Sequence, residues 1–455
     1  MPSTVRRSML TMSDHEDYAP ESPIFSQSEE EYDERPFNGL YIDMAPFGLE
    51  KIWDYEPGGH HVVQLGDHLG REGEYRVIHK LGSGGFANVW LCQILRNGVP
   101  HYVALKILMA DYSKDDCPEL RVERLRAVGL QKHICLPFDQ FRIEGPNGSH
   151  LCFVYPVAGP RVSLIAQQFE DPDRSLRKMA RQATEVMAAL HSHGICHGDF
   201  TPSNILLKVE GLDGLPEDEV LKILGEPVKV EVFTESGETP SDPTAPKYLV
   251  RPVKFRNVPL PYVVDEILLI DFGESYDVTN PPEELGIPES YRSPELVLEN
   301  TPGFGSDLWA LGCTLFEIRT GRKLFDMFDD DDDSHLFHMV EMLGALPEPW
   351  WSTTWKHRKE FFKDETDSLG RAVPVDALAK EQSDLSVERP SIDLALRRGL
   401  HYWDLGPGEE FSREIPPDDI EQLVNLLKKI LQYEPSRRLT AAEVLEHEWF
   451  RLDEN

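Results

Sequence analysis

The stretch His197–Asn204 contains residue types that could transfer a phosphoryl group. Its Asp199 and Asn204 follow His197 in the spacing H-x-D-x-x-x-x-N. In a loop of this kind the aspartate accepts the proton of an attacking hydroxyl, and the asparagine holds a Mg²⁺ ion. Because acid and amide pairs also arise by chance, the hypothesis depends on the elements that would position this loop.

A glycine-rich turn upstream could hold the phosphates of a nucleotide. Residues 82–89 fit the pattern G-x-G-x-x-G-x-V, with Ala87 in place of the third glycine. Glycines let a backbone hairpin lie close over phosphates because no Cβ stands in the way. An ordinary hairpin turn is the alternative. The strand-like Val103–Lys106 favours the nucleotide site, since a lysine at this distance can reach the α- and β-phosphates.

Two glutamates on a predicted helix over 118–128 could hold Lys106 in place. We favour Glu119 over Glu123, although Glu123 then occupies a position where an apolar residue is usual; a surface ion pair is the alternative for either. Residues 150–158 predict a buried strand that runs into a hinge, with Tyr155 at the back of the pocket. The candidate nucleotide contacts are Leu81, Gly82, Ser83, Gly84, Val89, Ala104, Lys106, Glu119, Tyr155 and Val157.

A second candidate metal ligand, Asp271, stands in Asp-Phe-Gly after a predicted strand over 263–270. A long stretch, about 209–261, separates it from Asn204 and is rich in Pro, Gly and Glu with weak periodicity. We expect this insert to be part ordered and part mobile, and to pack at the boundary between two lobes.

Other residues have predicted structural roles. Apolar residues at helical spacing predict an amphipathic helix over 174–193, which the pair His193-Gly194 would end. Asp307 begins a predicted buried helix and would cap the backbone of the catalytic loop, while Arg438 would pair with Glu295.

Composition limits the classes of partner and compartment. The net charge of −34, from 46 basic and 80 acidic residues, argues against nucleic acid and anionic membrane as direct ligands and favours a cationic partner. The six cysteines form no C-x-x-C pair, which indicates a reducing compartment without a zinc site. No apolar run is long enough to span a bilayer, so we expect a location in the cytoplasm and/or nucleus. We also expect a monomer. For the acidic run Asp329–Asp333, a solvated loop is favoured over a groove for basic peptides.

Together these residues resemble the eukaryotic protein kinase superfamily over residues 55–455. Within it the chain is most similar to the SR-protein kinases, as a divergent member. The similarity is carried by the lead-in Gly58–Asp67, the strand pair around Gly82–Val89, the phrase Gly148–Cys152 and the insert that splits the core. The spelling of Asp271–Gly273 and of Ser293–Glu295 departs from the usual text of that family.

The resemblance implies an α+β, bilobal fold. A small β-rich N-lobe with one main helix would span 55–157, and a larger, mostly helical C-lobe would span 158–455 with the insert at about 209–261. The acidic segment 1–54 has too little apolar content to fold alone, so we expect a largely disordered tail.

The resemblance also implies an activity: transfer of the γ-phosphoryl group of ATP, with Mg²⁺, to protein serine or threonine hydroxyls, in Arg/Ser-rich substrates such as splicing factors. Asp199, Lys106 and Asn204 would be the catalytic residues, and Asn204 and Asp271 the metal ligands. The alternative is a pseudokinase scaffold that binds partners without phosphoryl transfer. The presence of Lys106, Asp199, Asn204 and Asp271 argues against it.

Two residues of the loop depart from most protein kinases. Thr201 replaces a lysine whose ammonium would contact the γ-phosphate, so we expect an active but slow enzyme. Gly198 replaces the arginine that pairs with a phosphorylated activation loop, so we expect activity without loop phosphorylation.

Overall fold

The structure is a computed structural model that describes residues 38–42, 48–120, 125–126, 132–162, 168–326, 331–375, 389–402 and 411–452. Its first strands, in chain order, are β1 (Leu40–Tyr41), β2 (His68–Leu69), β3 (Tyr75–Ser83), β4 (Ala87–Arg96), β5 (Val99–Leu108), β6 (Asp139–Gly145) and β7 (Gly148–Pro156). Strands β2 to β7 form one antiparallel sheet in the order β2-β3-β4-β5-β7-β6. This sheet is the main body of the N-lobe.

The centre of the N-lobe sheet is a hairpin whose turn is written in the sequence. Asn97 and Gly98 join β4 to β5 and have φ values of 52° and 77°. An Asn-Gly pair with positive φ at both residues gives a turn whose twist matches that of the strands. The pairing continues without a bulge from Arg96↔Val99 to Ala87↔Leu108 and so fixes Val89 opposite Lys106.

The remaining strands belong to the C-lobe and the insert. They are β8 (Ala158–Arg161), β9 (Ile195–Cys196), β10 (Ile205–Val209), β11 (Lys229–Glu231), β12 (Phe233–Thr234), β13 (Tyr248–Val250), β14 (Val263–Leu269), β15 (Tyr276–Asp277), β16 (Phe362–Thr366), β17 (Ala372–Pro374), β18 (Leu400–Tyr402) and β19 (Phe411–Arg413). Strand β10 lies between β14 and β8, and β9 pairs with β15. These two small sheets flank the loop 197–204.

The described α-helices lie in the C-lobe and the insert. They are α1 (Pro172–Ser192), α2 (Glu217–Leu224), α3 (Pro294–Glu299), α4 (Phe304–Thr320), α5 (Asp332–Leu343), α6 (Arg358–Phe361), α7 (Ile392–Arg397), α8 (Pro417–Ile430) and α9 (Ala441–Leu445), with a short π-helix at Trp350–Thr354. None of the described helices has the length and apolarity that a membrane span requires. The predicted bilobal α+β fold is confirmed.

Helix α1 begins two residues before the predicted start and ends one residue before the predicted end. Asp171 caps it by accepting a hydrogen bond from the Arg174 N–H at 3.2 Å, and Pro172 occupies the first turn. Gly194, with φ of 74°, turns the chain out of the helix and into β9. The buried face of α1 therefore supports the segment that leads into the loop 197–204.

The insert contacts both lobes. Its two ends are β10 and β14, which pair with each other in the C-lobe. Between them, the Tyr102 hydroxyl of the N-lobe donates to the Leu215 carbonyl at 2.7 Å, and the Gly214 N–H donates to the Pro100 carbonyl at 2.8 Å. Val250 of the insert is buried in the core of the N-lobe sheet.

Part of the predicted N-terminal tail is ordered against the insert. Strand β1 pairs with β12, and Leu40, Ile52 and Tyr55 are buried in one small apolar cluster with insert residues such as Leu249. The division of the chain at 54/55 and 157/158 stays a prediction. Most of the predicted helix over 118–128, including Glu123, lies outside the described residues.

Candidate active site

Lys106 lies between two carboxylates. Its Nζ is 3.0 Å from Oε1 of Glu119 and 3.4 Å from Oδ1 of Asp271. Burial acts to lower the pKa of Lys106, but Asp271 and Glu119 outweigh it and raise this pKa. Lys106 in turn lowers the pKa of Asp271. The lysine is therefore a fixed cation with two anions in contact, one of them from each lobe.

Asp271 has an unusual backbone conformation. Its φ is 57°, in the left-handed region that non-glycine residues seldom adopt and that is concentrated at functional sites. The Gly273 N–H donates to its Oδ1 at 3.4 Å, and the preceding Ile270 N–H donates to the carbonyl of Asn204 at 2.9 Å. Phe272 is buried with its ring 4.9 Å from that of His197. These contacts join Asp271 to the loop 197–204.

Asp199 and Asn204 are in direct contact. The Asn204 Nδ2 donates to Oδ2 of Asp199 at 2.7 Å and to its carbonyl at 2.9 Å. The second oxygen of the carboxylate, Oδ1, is buried and has no hydrogen-bond partner among the described residues. Burial raises the pKa of Asp199 to about 7, and the nearby charges of Asp271 and Glu274 act in the same direction. The carboxylate is thus a buried proton acceptor with one free oxygen.

Asp307, at the start of α4, binds the backbone of the loop 197–204. Its carboxylate accepts from the backbone N–H groups of His197 at 2.8 Å and Gly198 at 3.0 Å, and contacts Nε2 of His191 at 3.0 Å. The predicted capping of the loop by Asp307 is confirmed. A buried backbone N–H needs a partner, and one side chain here accepts from two of them.

Gly198 occupies a position that no side chain fits. Its φ is 82°, and a Cβ at this residue would lie 2.4 Å from the carbonyl oxygen of Glu274. The Glu274 carboxylate accepts from the N–H of Gly286, farther along the same segment, at 3.2 Å. The close approach of Glu274 to the loop is a feature that the spacing of motifs could not show. In the sequence, only the unusual Gly198 pointed to this close approach.

Thr201 is buried within the turn of the loop. Thr201 is 2% exposed. Its N–H donates to the carbonyl of Asp199 at 3.1 Å, and its own carbonyl accepts from the Asn204 N–H at 3.0 Å. Thr201 therefore lies between the two functional groups of the loop.

The candidate nucleotide contacts lie on adjacent strands of the N-lobe. Val89 on β4 pairs with Gly82 on one side and with Lys106 on the other, and Ala104 on β5 pairs with Tyr155 on β7. The sheet register thus brings together residues that are far apart in the sequence. The other members of the set lie at the ends of these strands and beside Lys106, namely Leu81, Ser83, Gly84, Glu119 and Val157.

Comparison with known proteins agrees with this geometry. A family model described as protein kinase domain matches residues 75–224 and 249–450, which is most of the chain. The chain belongs to the protein kinase family. The gap in the match, 225–248, falls within the insert. The prediction of a protein kinase is confirmed.

The relatives of this kinase are distant but cover most of it. The chain is 26% identical to the serine/threonine-protein kinase SRPK of Physarum polycephalum, over 90% of this chain and 92% of that protein. It is 25% identical to the serine/threonine-protein kinase AFC3 of Arabidopsis thaliana, over 88% and 86% of the two chains. It is 26% identical to the dual specificity protein kinase CLK2 of Mus musculus, over 86% and 66%. These names confirm the resemblance to the SR-protein kinases and the assignment as a serine/threonine-protein kinase.

A solved structure supports the fold of the kinase. A crystal structure of a kinase domain covers 86% of this chain with a TM-score of 0.56 and 20% identity, and 98% of that domain is covered. At this identity the likeness concerns the fold alone.

Two further predictions for the C-lobe can be compared with the structure. The kinase has the predicted ion pair between Arg438 and Glu295, with both partners buried and two N–O distances of 2.6 and 2.7 Å. In the acidic run, Asp331 caps α5, Asp332 pairs with Arg292 at 2.9 Å, and Asp333 accepts from the Trp355 indole at 2.7 Å. Asp329 lies outside the described residues. The described acids are thus engaged within the chain, which fits a structural role better than a groove for basic peptides.

Proposed function

We propose that this kinase transfers the γ-phosphoryl group of ATP to serine and threonine hydroxyls in basic, Arg/Ser-rich protein segments, such as those of splicing factors. The observation that carries the proposal is the contact of Lys106 with both Glu119 and Asp271. It supports a site that is assembled in the conformation needed for phosphoryl transfer. The roles of the individual residues follow from their positions.

The N-lobe residues hold the nucleotide in this proposal. The glycine-rich turn 82–85 brings backbone N–H groups near the phosphates, and Lys106 supplies the positive charge that they need. Glu119 keeps the Lys106 ammonium directed at them. Leu81, Val89, Ala104, Tyr155 and Val157 would line the remainder of the nucleotide site, and the sheet pairs Val89 with Gly82 and Ala104 with Tyr155.

Asp271 and Asn204 fit a magnesium site. The Asn204 Nδ2 donates to Asp199, so its amide oxygen is the atom left to bind a cation. Two protein side chains leave most coordination positions of a Mg²⁺ ion open to phosphate and water oxygens. A few protein oxygens plus phosphate oxygens is the donor set that Mg²⁺ prefers. When bound, Mg²⁺ neutralises charge on the transferring group.

Asp199 orients the substrate hydroxyl and takes its proton. The buried Oδ1 is without a partner among the described residues and so is ready to accept a hydrogen bond, while Asn204 holds Oδ2. A buried carboxylate with a pKa of about 7 is a stronger base than an ordinary aspartate. Asp199 is ionised for only part of the enzyme at neutral pH, which makes the rate dependent on pH.

The substrate class rests on two supports. Relatives of this chain are named as SRPK and CLK2 kinases, and the net charge of −34 favours basic partners. Nucleic acid and membrane are not expected as direct ligands. A monomer in the cytoplasm and/or nucleus remains part of the proposal, and the state of assembly can be checked by light scattering.

The test is a transfer assay with Mg·ATP and an Arg-Ser repeat peptide, beside an acidic serine peptide of equal length. Asp199→Asn and Lys106→Met should each lower kcat by about 10² to 10⁴, because a proton acceptor or the phosphate-binding cation is lost. The exposed pair Lys178–Asp265 provides matched controls. Lys178→Met and Asp265→Asn should leave kcat unchanged.

Three results separate the possibilities. Transfer to the Arg-Ser peptide that is lost in both site variants supports the proposal. Equal transfer to both peptides would support the kinase activity and contradict the preference for Arg/Ser-rich substrates. Nucleotide binding without transfer to either peptide would favour the pseudokinase scaffold.

A further inference from the structure

A segment that precedes the kinase match contributes a buried carboxylate to the N-lobe. The family match begins at residue 75, whereas Glu50 lies in the N-terminal segment that packs with the insert. Glu50 is 6% exposed. Burying a carboxylate is unfavourable unless it is paired, so its partner shows what the segment is attached to.

That partner is Lys80, which is fully buried on β3. The Lys80 Nζ makes a hydrogen-bonded ion pair with Oε2 of Glu50. The ammonium also lies 5.5 Å from the centroid of the Trp90 ring on β4. Lys80 immediately precedes Leu81 and Gly82, so the ion pair is formed at the base of the glycine-rich turn.

Three further hydrogen bonds hold the junction between β3 and the glycine-rich turn. The Tyr55 hydroxyl donates to Oε1 of Glu50 at 2.7 Å, so both carboxylate oxygens are engaged and the side chain cannot rotate freely. The Val253 N–H of the insert donates to the backbone carbonyl of Lys80 at 3.0 Å. In the turn itself, the Ser83 hydroxyl donates to the Gly48 carbonyl at 3.4 Å.

We propose that Glu50 is a positioning residue for the nucleotide site: through its ion pair with Lys80, the N-terminal segment fixes the end of β3 from which the glycine-rich turn extends. This rests on the proposed function, in which that turn covers the phosphates of ATP. Glu50 itself does not contact the nucleotide. Glu50 instead fixes the position of the backbone N–H groups of the turn. The geometry of such a site depends on supporting residues whose polar groups are all hydrogen-bonded.

The inference predicts a change in nucleotide affinity without a change in the chemical step. In Glu50→Gln, and more strongly in Glu50→Leu/Lys80→Met, the Kd for Mg·ATP should rise about tenfold while kcat at saturating ATP stays within about twofold. The double variant is included because Glu50→Gln leaves a buried ammonium unpaired and loses stability for that reason alone. Replacing both partners by apolar side chains removes the ion pair without leaving a charge behind.

A matched control separates positioning from general stability. Asp173 pairs with the buried Arg319 at 2.5 Å in the C-lobe, away from the glycine-rich turn. Asp173→Asn should lower the melting temperature and leave the Kd for Mg·ATP unchanged. Nucleotide affinity is measured directly by titration calorimetry, and kcat by transfer to the Arg-Ser peptide.

The outcomes distinguish this inference from the proposed function. A wild-type protein that binds no Mg·ATP would refute the proposed function before Glu50 is considered. A wild type that binds Mg·ATP, with an unchanged Kd in the double variant, would refute the positioning role. A rise in Kd that Asp173→Asn reproduces at equal loss of melting temperature would refute it as well, since stability alone would then explain the effect.

Discussion

Gly198→Ala should damage the kinase far more than the addition of one methyl group suggests. The residue has a φ of 82°, and a Cβ would lie 2.4 Å from the carbonyl oxygen of Glu274. Non-bonded heavy atoms prefer a separation of about 3.5 to 4.0 Å. Either the loop or the segment that starts at Glu274 must therefore move, and Asp199 follows Gly198 directly.

The magnitude has two parts. A left-handed backbone costs an ordinary residue about 1 to 2 kcal/mol relative to glycine. The collision with the Glu274 carbonyl adds about 1 to 3 kcal/mol, as for other overpacked sites. The free energy of unfolding should therefore fall by about 2 to 5 kcal/mol. A displacement of Asp199 by even about 1 Å should lower kcat/KM by about 10².

Gly194→Ala is the matched control. Gly194 has a φ of 74°, and nothing lies within 4 Å of the position that its Cβ would take. This variant should lose only the first part, about 1 to 2 kcal/mol, and should keep its kcat/KM. Urea denaturation gives the free energies of unfolding, and transfer to the Arg-Ser peptide gives the rates.

Equal losses of stability and of activity in the two alanine variants would refute the reasoning, since the contact with Glu274 would then have no effect. Gly198→Arg tests the same contact with a larger side chain. If the arginine found at this position in most kinases were accepted without loss of activity, the close approach of Glu274 would not constrain the loop.

Four other predictions concern single properties. Phosphatase treatment should leave activity unchanged, because the hydrogen bond from the Gly286 N–H to the Glu274 carboxylate already holds the segment that starts at Glu274, without a phosphate. Loss of activity would contradict this. Thr201→Lys should raise kcat about tenfold by restoring a charge near the γ-phosphate, and an unchanged kcat would count against the role given to Thr201. The value of kcat/KM should fall about tenfold per pH unit below about pH 7, as the raised pKa of Asp199 brings protonation of the base into that range; a flat profile down to pH 5 would exclude it. Glu295→Gln should lower the free energy of unfolding by about 3 to 5 kcal/mol, because the Arg438 charge is left buried; a loss under about 1 kcal/mol in urea denaturation would show that this charge is solvated.

The sequence indicated which residues of the candidate active site lie near one another, because each motif carries its own spacing. Lys106 follows the glycine-rich turn along one hairpin, and the Asn-Gly turn between β4 and β5 fixes that register locally. Asp199 and Asn204 lie within one loop, so their contact needs no long-range packing. The contact of Lys106 with Asp271 joins distant parts of the chain, and the sequence did not predict it.

The parts that the sequence did not reveal depend on pairings between distant segments with little pattern of their own. Strands β1 and β12 are two residues long each, which is too short for an alternation of apolar and polar residues to be seen. Glu50 belongs to the N-terminal segment that we expected to be largely disordered, and its residue type alone does not distinguish a buried carboxylate from a solvated one. The ion pair with Lys80 appears only when the N-terminal segment is packed against the sheet.

The insert changes the mechanics of the two lobes. The short connection at Val157 is the covalent link between them, and the insert adds non-covalent contacts with the N-lobe that involve Tyr102, Val250 and Val253. A lobe that hangs on a single hinge can swing and twist in several directions. Contacts with the insert at a second place resist part of that motion. We therefore expect the insert to limit how far the two lobes open, and an antibody or small molecule that stiffens the insert to slow turnover from outside the nucleotide site.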